Sequence, residues 1–198
     1  MDDTRNELVG AARRLETLSS LGNSNLSKAP SAVVQRVFDA CNQYFHRHPY
    51  RLWFNKLEKV LNCLKSSYFD GSACHVDLVQ WATDPAWRDL TQSEQSTLLR
   101  SDIPFLQRQL CNEQIEVLLL NGNGIVRAFQ DNFGCTLTRV PGHRALGRIQ
   151  LWRGRLPSGL VAIGWNINLQ SSFGVKNSEI DSIGKVVCYA AAQARGST

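Results

Sequence analysis

The sequence predicts an α/β domain, a three-layer sandwich whose short, mainly parallel central sheet is flanked by helices. Three runs carry that expectation: residues 75–85 (HVDLVQWATDP), 116–125 (EVLLLNGNGI) and 160–174 (LVAIGWNINLQSSFG). Each starts Leu-rich or β-branched and stops at Gln, Asn, Gly or Ser. A buried strand that delivers polar groups at its carboxyl end has this form. In open α/β sheets ligands bind at that edge, so three such ends in one domain point to a shared site.

The elements follow in order. Residues 1–30 form a polar, partly irregular N-terminal segment that ends in LGNSNLSKAP, a loop by composition. Residues 31–198 form a single α/β domain, and 198 residues are enough to bury a core. Ser31 opens a helix to about residue 45 with Val33, Val34, Val37, Phe38 and Cys41 on one face. His46-Arg-His-Pro49 breaks it, because a residue before proline resists the helical region. A second helix over 52–64 buries Trp53, Leu57, Val60, Leu61 and Leu64, and a turn over 66–72 leads to a strand over 73–79.

Thr91 and Glu94 make a capping box for a short helix, and Ser101 or Asp102 caps another with Pro104 in its first turn. Strands are expected over 115–120, 136–140, 148–153 and 160–165. A helix to about residue 130 follows the Asn121-Gly-Asn-Gly124 loop, and Ser178 and Asp181 cap a closing helix to about residue 194. Strands alternating with helical periodicity argue for a parallel sheet.

Composition bounds the function. No apolar stretch approaches the roughly 20 residues of a membrane span, so no membrane is expected as a partner. The charged start MDDTRNELVG and six scattered cysteines without a CxxC pair read as a cytoplasmic chain with reduced, mostly buried thiols. No ligand pair has metal spacing, so neither metal nor cofactor is expected. The net charge is +5, and no acidic residue stands between Asp131 and Glu179. That gap holds Arg139, His143, Arg144, Arg148, Arg153, Arg155 and Lys176, a one-sign block suited to an anionic partner, nucleic acid (DNA foremost) or a nucleotide. Arg144, Arg148, Arg153 and Arg155 are the candidate phosphate contacts, since guanidinium geometry suits phosphate.

Gly122-Asn-Gly124 lacks the third glycine of a dinucleotide fingerprint and reads as a tight strand-to-helix turn. The loop after Trp165 is the most unusual segment, with Asn166, Asn168, Gln170, Ser171 and Ser172 beside aromatic neighbours. Carboxamides present both donor and acceptor, as a nucleobase edge does, and hydroxyls suit phosphate. Gln80, Trp81 and Asn121 join these residues as base- or ligand-binding candidates, and Asn166, Asn168 and Asp84 are the catalytic candidates. His75 and Asp77 share a strand face as a structural pair. No GxSxG elbow and no phosphate-cradling P-loop occur.

Together these segments resemble the uracil-DNA glycosylase-like superfamily over residues 50–194. The likeness rests on Trp53-x-x-x-Leu57, VDLVQWATDP, Leu118-Leu-Leu-Asn-Gly122 and the Asn166 to Ser172 loop. The resemblance implies a small α/β sandwich, with Gln80 where the family's second strand ends in a uracil-reading asparagine. It puts Asn168, Ser171 and Ser172 in the motif that clamps a flipped nucleotide. The implied reaction is base flipping, then hydrolysis of the N-glycosidic bond with the leaving base stabilised electrostatically. The chain departs from that pattern twice. The clamp motif has no His-Pro, and residues 5–22 contain no strand for the water-positioning first motif. An active glycosylase and an inactive or truncated relative therefore both stand as expectations. A small-molecule-binding α/β enzyme and a non-catalytic interaction module are the alternatives.

Overall fold

The computed structural model describes residues 16, 20–24, 28–47, 49–79, 83, 85–140, 148–170 and 175–195. The chain is mixed α/β, with a four-stranded sheet flanked by helices.

The first helix, α1, spans Ser31–Asn42, but its apolar stripe is only lightly covered. Ala40 is buried, while Cys41 and Phe38 are exposed, contrary to the expected face. A short turn, α2 (Tyr44–Arg47), follows before Pro49. Its Phe45 stacks on Tyr68 at 4.5 Å and meets Phe54 edge-on at 5.0 Å. Helix α3 (Arg51–Cys63) buries Phe54, Leu57, Val60 and Leu61. Trp53 was expected inside, yet it lies one position off that 3.6-residue stripe and stays partly exposed, stacked on Tyr50. Leu64 ends half-buried beyond the helix.

Residues 73–79 form no strand, which overturns an expectation. Their alternating pattern finds no ladder among the described residues, and a strand exists only with a partner to receive its backbone groups. The segment is held by side chains instead, with the His75 ring 5.2 Å from Phe54 and its Nε2 3.6 Å from Asp77. Tyr68, just upstream, is anchored through its backbone N–H to Glu58.

The Thr91–Glu94 capping box is present and starts α4 (Gln92–Gln109), one helix where two were expected. Pro104 lies inside it. A proline in a helix interior costs roughly 3 kcal/mol, and burial of Ile103, Leu106 and Leu110 on its far side keeps the helix continuous.

Strand β1 (Val117–Asn121) turns at Gly122, φ 105°, into α5 (Asn123–Phe133). That helix runs a turn past its expected end to Gly134, whose left-handed conformation stops it. Strands β2 (Thr138–Arg139), β3 (Leu151–Arg155) and β4 (Val161–Trp165) follow, and α6 (Asn177–Arg195) closes the chain. The start of α6 is capped by Glu179, whose carboxylate accepts from the Lys176 N–H at 2.9 Å; Ser178 instead lies within the helix.

The sheet order is β1-β4-β3-β2, with β1 and β4 parallel and the other two pairings antiparallel. The sheet is therefore mixed and not mainly parallel. Connection length decides this. A tight turn, closed by Leu156 N–H to Leu160 O at 2.9 Å, joins β3 to β4 and permits only antiparallel pairing.

Alternation along β4 sends Val161, Ile163 and Trp165 into a core with α3 and α6, and Ala162 into a second core with α4 and α5. Helices thus cover both faces. Trp165, Ile163, Leu169, Ile180, Ile183 and Val187 are fully buried, and each such aliphatic side chain contributes about 1.5–3 kcal/mol.

Candidate functional site

The carboxyl ends of β1 and β4, the parallel pair, lie side by side with Asn121 opposite Trp165. Asn121 is the hub of what forms there. Its Oδ1 accepts from the Trp165 indole Nε1 at 3.0 Å and from the Leu169 N–H at 2.9 Å. Its Nδ2 donates to Asn168 Oδ1 and to Gln170 Oε1, both at 3.1 Å. Asn168 Oδ1 also accepts from the Gln170 N–H at 2.9 Å, closing an Asx turn.

The amide orientations in this net are determined by chemistry. An indole N–H and a backbone N–H can only donate, so the Asn121 oxygen must face them and its NH2 must face the loop. That NH2 in turn requires the Gln170 oxygen. The Gln170 NH2 is then turned away from Asn121, where it is buried without a hydrogen-bond partner among the described residues. A buried donor left open costs about 1–3 kcal/mol.

Gly122 permits the close fit of loop to turn. At φ 105° it occupies a conformation that side chains rarely adopt, and a Cβ there would lie 3.1 Å from the Asn168 Cβ. The two segments are also joined by Gly122 N–H to Trp165 O and Asn123 N–H to Asn166 O, each 3.1 Å.

Asn166 has a structural job. Its Oδ1 accepts from the Gln150 N–H at 2.8 Å and its Nδ2 donates to Arg148 O at 3.1 Å, so its amide bridges two residues ahead of β3. Both catalytic candidates described, Asn166 and Asn168, thus have amide oxygens engaged within the protein. The third, Asp84, lies outside the described residues, as do Gln80, Trp81, Ser171, Ser172, Arg144 and His143. Among the described residues this net holds no carboxylate or imidazole, so what it offers is hydrogen bonding and shape.

The arginines divide into two groups. Arg148 is bidentate to Glu179, Nε to Oε1 at 3.1 Å and Nη2 to Oε2 at 3.4 Å, and this pairs the approach to β3 with the start of α6. The Lys176 N–H, and then Arg148, hold the Glu179 carboxyl below its ordinary range. Arg155 donates to Gly159 O at 3.0 Å across the β3–β4 turn. Arg153 and Arg139 are exposed and form no ion pair among the described residues. Burial pushes the Cys135 thiol up, but it is the one buried cysteine of the six: Cys41, Cys74 and Cys111 are exposed and Cys63 and Cys188 half-buried, contrary to the mostly buried thiols expected.

A polar cleft of about 400 Å³ adjoins the net, lined by Asn123, Val126, Arg127, Gln130, Gln150, Trp152 and Asn166. Sequence reasoning passed over Arg127, Gln130, Gln150 and Trp152. The first two lie on the helix after Gly122-Asn-Gly124, with Arg127 four residues past Asn123, and Gln150 and Trp152 stand two apart where the chain enters β3. Periodicity alone could have found each pair, but not their meeting. A larger hollow of about 720 Å³ lies at the amino ends of β1 and β4 and is walled mainly by Leu110, Ile115, Val117, Leu160 and Val161. Its lining also includes Asn112, Glu113, Glu116, Arg155 and Ser158, and the two carboxylates disfavour an anionic ligand, which makes the carboxyl edge the better candidate for one.

No group of three or more His, Cys, Asp or Glu is placed to hold a metal ion among the described residues. No described helix is long and apolar enough to cross a membrane. No protein family, curated protein or solved structure matches this chain.

Proposed function

We propose that this chain is a DNA-interacting domain of the uracil-DNA glycosylase kind, which takes an unstacked nucleotide at the carboxyl ends of β1 and β4. The observation that carries the reading is the Gln170 NH2, a buried donor left open among the described residues by a hydrogen-bond net that fixes its direction. A base carbonyl is an acceptor of matching chemistry. The acid-free stretch between Asp131 and Glu179, with Arg139 and Arg153 exposed on the two faces of the sheet, supports an anionic partner.

The test is fluorescence anisotropy with uracil-containing and undamaged DNA, single- and double-stranded, at low and moderate salt, with alkali cleavage scored alongside. Salt-sensitive binding is expected. Gln170→Glu keeps the oxygen that Asn121 needs and removes the open donor, so it should weaken binding about tenfold, the equivalent of about 1.4 kcal/mol. Excision of the base would make the domain a glycosylase, and binding without excision a DNA-binding relative. No binding at low salt refutes the proposal.

The cleft beside Trp152 favours a second reading, a small-molecule site. Its size lies within the roughly 300–1,000 Å³ of such pockets. A thermal shift with a free nucleotide but none with DNA would select that reading.

A further inference from the structure

The cleft between α5 and β3 is a separate site from the amide net, and we propose that it binds a nucleoside monophosphate. The inference does not depend on DNA binding by the net. It starts from how the cleft is made. Gly164 in β4 lets α5 lie directly on the sheet, since a Cβ there would stand 2.6 Å from Val126 Cγ2. Val126 thereby becomes the floor. Asn166, its amide bonded to Arg148 O and the Gln150 N–H, fixes the wall that carries Gln150 and Trp152.

The chemistry of the lining selects the ligand. Among the described lining residues Arg127 is the one ionisable side chain, and it is exposed. It makes no ion pair with Asp131, one helical turn on, or with any other described acid. Arg139 adds a second cation at the rim, because it pairs with Trp152 across the β2–β3 ladder and so shares its face. An uncompensated guanidinium in a cleft without carboxylates suits a phosphate.

Three carboxamides, Asn123, Gln130 and Gln150, complete the polar lining, and none of these side chains is hydrogen-bonded within the described residues. Each offers a donor and an acceptor to a heterocycle edge. Trp152, half-buried, supplies the one aromatic wall, against which a planar base can stack. A sugar phosphate would leave the indole without a partner, and a free base would leave the arginines without one. A nucleoside monophosphate uses both, and its volume suits about 400 Å³.

The experiment is calorimetric titration of the full chain with adenosine 5′-monophosphate and 2′-deoxyuridine 5′-monophosphate. Adenosine, deoxyuridine and inorganic phosphate serve as the separate halves. At least one nucleotide should bind at least tenfold more tightly than either of its halves. Arg127→Gln and Trp152→Ala should each loosen it about tenfold, Trp152→Phe should restore most of the loss, and Arg36→Gln on α1, outside the cleft lining, should change nothing. If neither nucleotide binds at millimolar concentration, that overturns the proposal. So does phosphate binding as well as the nucleotide, or an Arg127→Gln variant that binds normally. If Arg127→Gln loses the nucleotide but keeps DNA affinity, the two sites are distinct. If DNA binding fails while the nucleotide still binds, only the reading of the amide net falls.

Discussion

Asn121→Ala tests whether the amide hub holds the site together. The change removes the oxygen that receives the Trp165 indole N–H and the Leu169 N–H, and the NH2 that ties Asn168 and Gln170 to the strand end. Trp165 and Leu169 are fully buried, so neither donor sits in bulk water. Each buried donor that loses its acceptor costs about 1–3 kcal/mol, which brackets the pair at about 2–6. Asn121 and Gln170 are themselves only half-buried, so water can reach part of the gap. The lower half of the range applies, about 3 kcal/mol.

Asn121→Asp separates the two halves of this argument. A carboxylate keeps both accepted bonds and loses both donated ones. Gln170 can then turn its amide and give the carboxylate the NH2 that now has no partner, so the loss should be nearer 1 kcal/mol. Urea unfolding followed by far-ultraviolet circular dichroism measures both, compared at a common slope. Asn121→Ala within 0.5 kcal/mol (roughly the level of a neutral surface change) would refute the hub. So would an aspartate variant less stable than the alanine one.

Three further outcomes follow from the same geometry. Gly164→Ala should destabilise by about 1–3 kcal/mol in urea unfolding, since its Cβ would meet the stiff Val126 Cγ2 at 2.6 Å and Leu120 Cβ at 3.1 Å. Glu179 has its pKa lowered by the Lys176 N–H and then by Arg148. The stability it contributes is therefore present above the unfolded carboxylate pKa and lost as pH falls through the lower folded one. Melting temperatures of Glu179→Gln and wild type should differ at neutral pH and converge in acid, and a gap unchanged into strong acid would contradict the assignment. For DNA, charge reversal at Arg139 or Arg153 should flatten the plot of log affinity against log salt by about 0.9 per lost duplex phosphate contact. Reversal at Arg148, already paired with Glu179, should chiefly lower the melting temperature.

Much of the architecture was legible because it depends on neighbours in the chain. The Thr91–Glu94 box, the β4 run and the Gly122 turn are local patterns, and each stands where the sequence put it, within a residue or so. Errors came where a distant partner decides. The alternation over 73–79 is a good strand pattern, but no described strand pairs with it. Ser101 or Asp102 reads as the cap of a second helix with Pro104 in its first turn, but core residues on both sides of the proline, Ile103 and Leu106, keep α4 whole. Trp53 looks like core and is displaced by Phe54, because the face of α3 that meets α6 was not visible from its own periodicity.

The candidate site divides in the same way. Sequence by itself determined that amides and small residues end two buried strands, that arginines fill an acid-free stretch, and that a glycine must turn the chain after Asn121. These are properties of composition and short spacing. Tertiary structure decided which of those groups are already engaged. It ties Asn121, Asn166 and Asn168 into internal bonds, pairs Arg148 with Glu179, and leaves open the Gln170 NH2 and the Arg127–Trp152 cleft. The reason is that a polar side chain's availability depends on whether a complementary group lies within about 3 Å, and chain folding alone brings residue 121 to 168 and 170, and residue 150 to 166, at that distance.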